Sequence, residues 1–260
     1  DIIDDPSCVA WWTCDPYIGN LVLDQSGYDN DGTIIGGALR VPGRNEDAGN
    51  AIDLNGSSQY VNVLNSTSLN LTKDLTVAAW IRPDVVSGSR GIVTKCEGTS
   101  NKQYILTISN GLIRFEYELS GNNYAMSGGA VTAGEWQHAA VTVDSSLLVN
   151  LYVDGVSTAS ETAPGEVLAQ SNPVVIGRWS GSYSSNYFDG LIDDVQIYMR
   201  ALSLREIQVM AGRLNATDPN PANGATDVSR TPTLSWSPGA FVASVNGNIV
   251  YYSDDLSAVT

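Results

Sequence analysis

Short runs in which apolar and polar residues alternate recur along most of the chain, and clusters of Gly, Asn, Asp and Ser separate them. An alternation of period two is typical of a β-strand with one face on a core. Residues 75–83, LTVAAWIRP, show it most clearly and end at a proline. We interpret Trp80 in this run as a core residue rather than a ligand platform. The pattern predicts an all-β fold.

Two segments carry the signal of a β-hairpin. Residues 104–119 turn on Asn-Gly at 110–111, and residues 147–160 turn on Asp-Gly at 154–155. These dipeptides suit the two positive-φ positions of a type I′ turn. A third Asn-Gly, at 55–56, predicts either a hairpin or two separate strands within 51–63.

The second strand of the first hairpin has one apolar and one charged face. Its apolar face carries Ile113, Phe115 and Tyr117, and its other face carries Arg114, Glu116 and Glu118. We expect the charged face to meet solvent or a polar groove, with its charges paired.

The segment from 187 to 211 begins as a strand and ends as a short helix. Within the strand, Asp193 has the same parity as Val195 and Ile197, which predicts a carboxylate on an inward face. Such burial costs several kcal/mol, as an order of magnitude, unless the group is paired, hydrogen-bonded or bound to a metal. Ser203 and Glu206 have the spacing of a capping box and predict where the helix begins.

An early loop concentrates oxygen-bearing side chains. Asp24, Ser26, Asn30 and Asp31 fall within eight positions, next to glycines that permit tight turns. Carboxylates and neutral oxygens are the ligands that hard cations prefer. The alternative is a turn satisfied by its own backbone, and the EF-hand pattern is absent.

A second loop concentrates aromatic side chains among serines and glycines. Arg178 and Trp179 begin it, and Tyr183 and Tyr187 follow. An aromatic ring can pack on the apolar face of a sugar ring, so these four residues are candidate ligand contacts. The alternative is a set of ordinary surface aromatics over a sheet edge.

Composition excludes several classes of function. The formal net charge of −15 argues against nucleic acid or anionic membranes as partners of a basic surface. The sequence has no apolar run long enough for a transmembrane helix. Of the three cysteines, Cys8 and Cys14 lie too far apart on one strand to bridge, whereas Cys14 with Cys96 stays open.

The sequence offers little support for catalysis. The E-x-D-x-x-E motif that glycosidases of sandwich folds carry is absent. Glu116 and Glu118 share a face about 7 Å apart, but Arg114 beside them favours an ion-paired surface. The single histidine, His138, is expected to pack between strands, and no triad partner is evident. We therefore expect a protein that is not an enzyme.

Seven blocks in order resemble the laminin G-like domains of the concanavalin A-like lectin/glucanase superfamily. They are DQSGYDNDGT at 24–33, AIDLNGSSQYV at 51–61, LTVAAWI at 75–81, EWQHAAVT at 135–142, LYVDG at 151–155, IGR at 176–178 and FDGLIDDVQIYMRALS at 188–203. The resemblance implies a two-sheet antiparallel jelly roll over residues 1–212, with its first and last strands adjacent.

Many relatives in this family hold a structural calcium ion. The resemblance therefore implies that Asp193 meets the early loop, and that a Ca²⁺ ion binds Asp193 together with oxygens from Asp24, Ser26, Asn30 or Asp31. Hydrogen bonds from the loop to Asp193 are the alternative.

The chain changes character after the helix. Residues 213–232 are rich in Pro, Asn, Asp and Thr and predict a linker. Residues 233–260 hold strand signals but are too few for an immunoglobulin-like sandwich. The tail resembles the opening of a fibronectin type III or immunoglobulin-like module, so we expect a partial second β-domain and a larger secreted or cell-surface parent.

Two classes of function follow. The first is an extracellular binding module that recognises a glycan or polysaccharide without acting on it. The second is a structural or adhesive module that contacts an extracellular protein and binds no sugar. A remote third is a glycoside hydrolase or polysaccharide lyase of the same fold.

Overall fold

A computed structural model describes residues 5–15, 17–44, 50–97, 100–119, 122–179 and 186–213, together with two short strands further on. Its strands are β1 (Cys8–Trp12), β2 (Tyr17–Ile18), β3 (Leu21–Val22), β4 (Gly32–Ile35), β5 (Leu39–Pro42), β6 (Asn50–Asn55), β7 (Tyr60–Val63), β8 (Leu75–Pro83), β9 (Ser89–Glu97), β10 (Ser100–Ser109), β11 (Leu112–Leu119), β12 (Asn122–Ala130), β13 (Gln137–Val143), β14 (Leu148–Val153), β15 (Val156–Thr162), β16 (Val174–Ile176), β17 (Asp189–Tyr198), β18 (Thr217–Asn220) and β19 (Ser235–Ser237). A 3-10 turn covers Thr67–Leu69, and helix α1 covers Leu204–Met210.

Two antiparallel sheets pack face to face, which confirms the predicted jelly-roll sandwich. The first sheet has the order β15-β14-β13-β8-β17-β6-β5, with β1 also paired to β17. The second sheet has the order β12-β11-β10-β9-β16-β7-β4-β3-β2. Both predicted hairpins form, whereas the strands on either side of Asn55-Gly56 belong to different sheets.

Strand β17 holds the first sheet together, because three strands pair with it. Strand β8 follows one of its edges. The other edge is shared: β6 pairs with its beginning and β1 with its end, where Trp12 lies opposite Val195. The first and last strands of the sandwich are therefore adjacent, as the resemblance implied.

A β-bulge in β17 overturns the predicted orientation of Asp193. Asp194 has a φ of 46°, and the register with β8 shifts after Asp193. The extra residue reverses the alternation, so Ile192 and Val195 both reach the core between the sheets. Asp193 lies instead on the outer face of the first sheet, opposite Trp80. The prediction that Asp193 shares the inward face of Val195 was wrong because sequence parity does not register a bulge.

The core lies between the sheets and is built from the alternating positions. Ile113, Phe115 and Tyr117 are fully buried in it, as predicted for the apolar face of β11. All three cysteines are buried, and Cys14 and Cys96 form no disulfide with each other.

Helix α1 covers part of the outer face of the first sheet. The capping box is confirmed, since the Ser203 side chain accepts from the Glu206 backbone and Glu206 accepts from the Ser203 backbone. Ile207 packs with buried residues of this outer face, including Tyr198. Trp80 is buried here, where its indole N–H donates to the Met210 carbonyl at 3.2 Å, rather than between the sheets.

Arg200 ties the N-terminus to the helix. Its guanidinium forms a bidentate pair with Glu206, at 3.0 and 2.6 Å, and also binds Asp5 and Ser7. The hydrogen bonds from Arg200 lower the pKa of Glu206 to about 2 against the effect of burial. Burial opposes the same change at Asp5, but the bonds from Ser7 and Arg200 outweigh it and lower its pKa to about 2.

The C-terminal predictions fall largely outside the described residues. The structure describes only β18 and β19 beyond residue 213, and these two strands pair with each other. The linker at 213–232 and the partial domain at 233–260 stay predictions. In the part of the chain that the structure describes, no helix is long and apolar enough to cross a membrane.

Replacing Arg200 should make stability less dependent on pH. A carboxyl group whose pKa is lowered by folding stabilises the protein above its unfolded pKa, and this contribution disappears as pH falls through the folded pKa. Arg200→Gln should therefore cost about 1–2 kcal/mol near neutrality, after allowance for solvent screening, and progressively less from about pH 4.5 to 2. Urea unfolding of both proteins at several pH values measures this, and a cost independent of pH would contradict the assignment.

Candidate functional site

The outer face of the second sheet carries buried polar side chains. A row of paired residues crosses it from Val175 through Thr94 and Ile105 to Glu116. All four are at most 5% exposed although they point away from the core, since their neighbours along each strand fill it. Other groups must therefore cover this face.

One cover is a short ribbon formed by the residues on either side of the 180–185 segment. Arg178 pairs with Tyr187 in an isolated antiparallel bridge, and the Trp179 N–H donates to the Asn186 carbonyl at 3.1 Å. The ribbon rests on β9 at Gly91, where a Cβ atom would collide with the peptide between Arg178 and Trp179. Only glycine permits this approach, which fixes Arg178 and Trp179 over the sheet.

Arg178 lies between two tyrosines. The centre of its guanidinium is 4.3 Å from the ring centre of Tyr60 and 5.6 Å from that of Tyr187. It also donates to the Tyr187 hydroxyl at 3.4 Å. Cation–π contacts of this kind fix the orientation of the planar guanidinium next to the two aromatic rings.

A buried ion pair lies beside this ribbon. Lys102 and Glu116 are 6% and 5% exposed, and the Lys102 ammonium lies 3.3 Å from Glu116 Oε2. Arg114 is a second, longer partner of the same oxygen at 3.8 Å. The ammonium of Lys102 also lies 5.3 Å from the centre of the Trp179 ring. The ion pair and the aromatic ribbon thus form one connected surface.

Two buried polar atoms of this surface have no hydrogen-bond partner among the described residues. They are the acceptor Glu116 Oε1 and the donor Arg178 Nε. A buried polar atom without a partner costs about 1–3 kcal/mol, so a bound polar group is favoured at each. The Arg178 carbonyl accepts from the Thr94 hydroxyl. Thr94 lies two strands from Glu116, so the backbone positions beneath the two atoms are roughly 10 Å apart.

The structure therefore brings together Arg178, Trp179 and Tyr187, three of the four residues predicted as ligand contacts. Tyr183 lies outside the described residues. Sequence reasoning missed Tyr60 and Lys102, which are distant in sequence and carry no local signal. The sequence does mark the charged face of Glu116 as solvent or a polar groove with paired charges. Arg114 is one such partner, but Glu116 itself is buried because it also pairs with Lys102.

The early loop is closed by its own hydrogen bonds. Asp24 Oδ1 accepts from the N–H groups of Trp11 and Ser26, and Oδ2 accepts from the Ser26 hydroxyl and the Asn30 N–H, at 2.8 to 3.0 Å. Asp31 Oδ1 accepts from the Asp24 N–H at 2.8 Å. The Asn30 side chain is bonded to Val9, Ser66 and Ser68.

The loop and the Asp193 segment reach the same strand but do not converge. The backbone of Trp11 donates to Asp24, and its indole donates to Asp194 at 3.4 Å, so one residue stands between them. Asp193 accepts from the Asp194 N–H, and burial together with repulsion from Asp194 raises its pKa to about 7. Among the described residues no cluster of three or more His, Cys, Asp or Glu forms a metal site.

These contacts do not fit a calcium cage built from Asp24, Ser26, Asn30, Asp31 and Asp193, because Asp24 and Asn30 already accept hydrogen bonds from the loop and from Ser66. A turn satisfied by its own hydrogen bonds describes the loop better. Asp193 accepts from the Asp194 N–H, so hydrogen bonds from the loop to Asp193, the other alternative, are not what holds it. The calcium ion itself stays a prediction.

His138 packs as expected. It is 1% exposed, and its ring lies edge-on to Trp80 at 5.4 Å. Burial and the nearby charge of Arg44 lower its pKa to about 3, which keeps the ring neutral.

The costs of removing the two charges of the buried pair should be less than additive. Glu116→Gln leaves Lys102 buried without its charge partner, and should cost about 3 kcal/mol. Adding Lys102→Met should recover about 1–3 kcal/mol of the summed cost. Urea unfolding of the double-mutant cycle measures this coupling. Arg114→Gln, at the longer and more exposed contact, is the control and should cost under about 1 kcal/mol.

Asp24→Ala should destabilise the early loop whether or not calcium is present. It removes the acceptor of three backbone N–H groups, which should lower the free energy of unfolding by about 2 kcal/mol. Asp24→Asn, which keeps one oxygen, is the matched variant and should cost less. Melting of the wild-type protein should not change between EDTA and calcium, whereas a rise in calcium would support the cation site.

Two of the solved structures that are similar to this chain are binding domains. The binding domain of Paraclostridial Mosquitocidal Protein 1 is 19% identical with a TM-score of 0.66, covering 81% of this chain and 53% of its own. The botulinum neurotoxin serotype D binding domain is 17% identical with a TM-score of 0.65, covering 84% and 55%. This chain thus spans about half the length of these toxin domains.

A third similar structure matches at nearly full length. It is domain 4 of AbnA, an extracellular arabinanase of family GH43 from Geobacillus stearothermophilus, in complex with arabinotriose. It is 21% identical with a TM-score of 0.63, covering 79% of this chain and 98% of its own. No curated protein matches the sequence.

The sequence also matches a family model, Laminin_G_3 of the concanavalin A-like lectin/glucanases superfamily, over residues 55–208. This range contains β7 to β17 and most of helix α1, and with them Gly91, Glu116 and Arg178 of the candidate site. The chain therefore belongs to the laminin G-like family of the concanavalin A-like lectin/glucanase superfamily.

Proposed function

We propose that this chain is a non-catalytic module that binds an oligosaccharide on the outer face of its second sheet. The observation that carries the proposal is the joined surface of aromatic rings and buried polar atoms around Arg178, Trp179, Tyr187 and Glu116. Rings offer a face to the C–H side of a sugar, while Glu116 Oε1 and Arg178 Nε offer an acceptor and a donor to hydroxyl groups.

The size of the surface favours an oligosaccharide over a single sugar. The residues that carry its unpartnered acceptor and donor sit over strands roughly 10 Å apart, so one sugar ring engaging both is disfavoured. The arabinotriose complex of AbnA domain 4 supports an oligosaccharide ligand on this fold.

The same charges argue against a hydrolase. Glu116 Oε2 is held by Lys102 and Arg114, which leaves only Oε1 for a ligand, and the sequence lacks the E-x-D-x-x-E carboxylate motif of glycosidases. The similar structures are called binding domains, which supports recognition over turnover. A secreted or cell-surface parent protein, as the sequence predicts, is the setting we propose.

The second candidate is a module that binds an extracellular protein and no sugar. The toxin binding domains among the similar structures favour it. The two candidates differ in what the chain binds. A glycan-binding module binds a free oligosaccharide, whereas a protein-binding module binds its partner without any oligosaccharide.

Substitution of the ribbon aromatics should weaken sugar binding without unfolding the protein. A glycan array first identifies the ligand, and titration calorimetry then measures affinity. Trp179→Ala and Tyr187→Ala should each weaken binding by about tenfold or more, since each removes a stacking face. Tyr28→Ala, at an exposed tyrosine of the early loop, is the matched control and should bind normally.

Three results would separate the alternatives. An array without ligands, together with capture of a defined protein partner that Trp179→Ala disrupts, would favour the protein-binding module. Release of reducing ends from any polysaccharide would favour the hydrolase. Normal sugar affinity in both aromatic variants would show that the sugar binds elsewhere on the protein.

A further inference from the structure

A second concavity lies on the other side of the sandwich, on the outer face of the first sheet. It has a volume of about 500 Å³, within the usual range for small-molecule sites. Arg44, Asp53, Arg82, Asp84 and Trp136 supply its charged and aromatic lining. None of these residues belongs to the surface around Arg178.

Strand pairing arranges the floor of this cavity. Asp53, Leu191 and Arg82 lie side by side on β6, β17 and β8. Leu191 is only 5% exposed and forms an apolar floor between a half-buried carboxylate and a half-buried guanidinium. The charged residues are two strands apart, roughly 10 Å between their backbones, so a ligand fits between them.

The backbone around the cavity is fixed. Gly190 has a φ of 124°, and a Cβ there would collide with the backbone of Arg82 and Asp84. The Asp84 N–H donates to the Asp189 carbonyl at 2.8 Å, and the Gly134 N–H donates to the Pro83 carbonyl at 2.7 Å. The second bond holds the start of the segment that carries Trp136. A rigid, preformed cavity reduces the entropic cost of binding.

Three of the charged side chains are available to a ligand. Asp53, Arg82 and Asp84 form no ion pair or side-chain hydrogen bond with any described residue, although they line one cavity. Arg44 is placed differently, since its guanidinium stacks on Trp80 at 4.1 Å. The cavity therefore presents separate donors and acceptors instead of closed salt bridges.

The charge pattern selects the class of ligand. Two arginines and two aspartates balance, which disfavours both a divalent cation and a simple anion, and the net charge of −15 further repels anions. A neutral polyhydroxylated ring matches this lining. Its hydroxyls can donate to carboxylates and accept from a guanidinium, while its C–H face packs on Trp136.

We propose that this cavity is a second carbohydrate site, which binds a neutral sugar residue between Asp53, Arg82, Asp84 and Trp136. It does not depend on the oligosaccharide surface of the second sheet. With both sites occupied, one copy of the chain joins two segments of a glycan, and the two contacts reinforce each other through effective concentration.

Indole resonances of tryptophan test the two sites separately. In ¹H–¹⁵N spectra with triple-resonance assignments, the Trp136 and Trp179 indole signals report one site each. The probes are arabinotriose, maltotriose and cellotriose, with trigalacturonic acid as the anionic comparison. We expect at least one neutral probe to shift the Trp136 signal with saturation. Arg82→Gln and Asp84→Asn should each weaken that response by about tenfold, leaving any Trp179 response unchanged.

Matched controls are Arg205→Gln and Asp29→Asn, which remove the same charges at exposed positions outside the cavity. Each should leave the Trp136 response unchanged. The proposal would be overturned if no neutral probe shifts the Trp136 signal. It would also be overturned if the Arg82→Gln and Asp84→Asn variants respond to the probe as strongly as the wild-type protein does. Stronger binding of the anionic probe would also overturn it. If the probes shift the Trp136 signal but not the Trp179 signal, only the proposed oligosaccharide site on the second sheet is refuted.

Discussion

Contact between the Arg178–Trp179 peptide and Gly91 is the constraint on which the candidate site depends. Because β9 has no side chain there, the ribbon lies directly on the sheet, and Tyr187 follows it into β17. The segment that starts the central strand of one sheet thus covers the outer face of the other. Any larger residue at position 91 would lift the ribbon and separate Arg178 from Tyr60.

Covering this face has an energetic consequence. Glu116 and Lys102 would be an ordinary surface pair on an open sheet, but beside the ribbon, with Lys102 against the Trp179 ring, they are buried and lose most of their hydration. Such a pair adds little stability compared with a hydrophobic replacement, so stability alone does not account for it. We propose that recognition accounts for it, because Glu116 keeps one oxygen without a partner among the described residues and a ligand hydroxyl can supply that partner.

The sequence predicts the fold well because alternation, turn dipeptides and the capping box are local signals. Residues 75–83 form β8 with the predicted bounds, and both type I′ hairpins are present. The sequence misplaces Asp193, because the positive-φ residue Asp194 reverses which face of the sheet the preceding residues of β17 occupy. Part of the candidate site is predictable, because aromatic enrichment marks the loop of Arg178, Trp179 and Tyr187.

The rest is not. The pairing of Lys102 with Glu116 and the stacking of Tyr60 on Arg178 depend on the register of strands that are distant in sequence.

The central claim is that a sugar binds on the outer face of the second sheet, and a crystal structure with a bound oligosaccharide tests it most directly. We predict sugar density against Arg178, Trp179 and Tyr187, with a hydroxyl group in hydrogen-bond distance of Glu116 Oε1. Density at saturating ligand that lies only along the Asp24–Asp31 loop, or only at the cavity of Trp136, would contradict it.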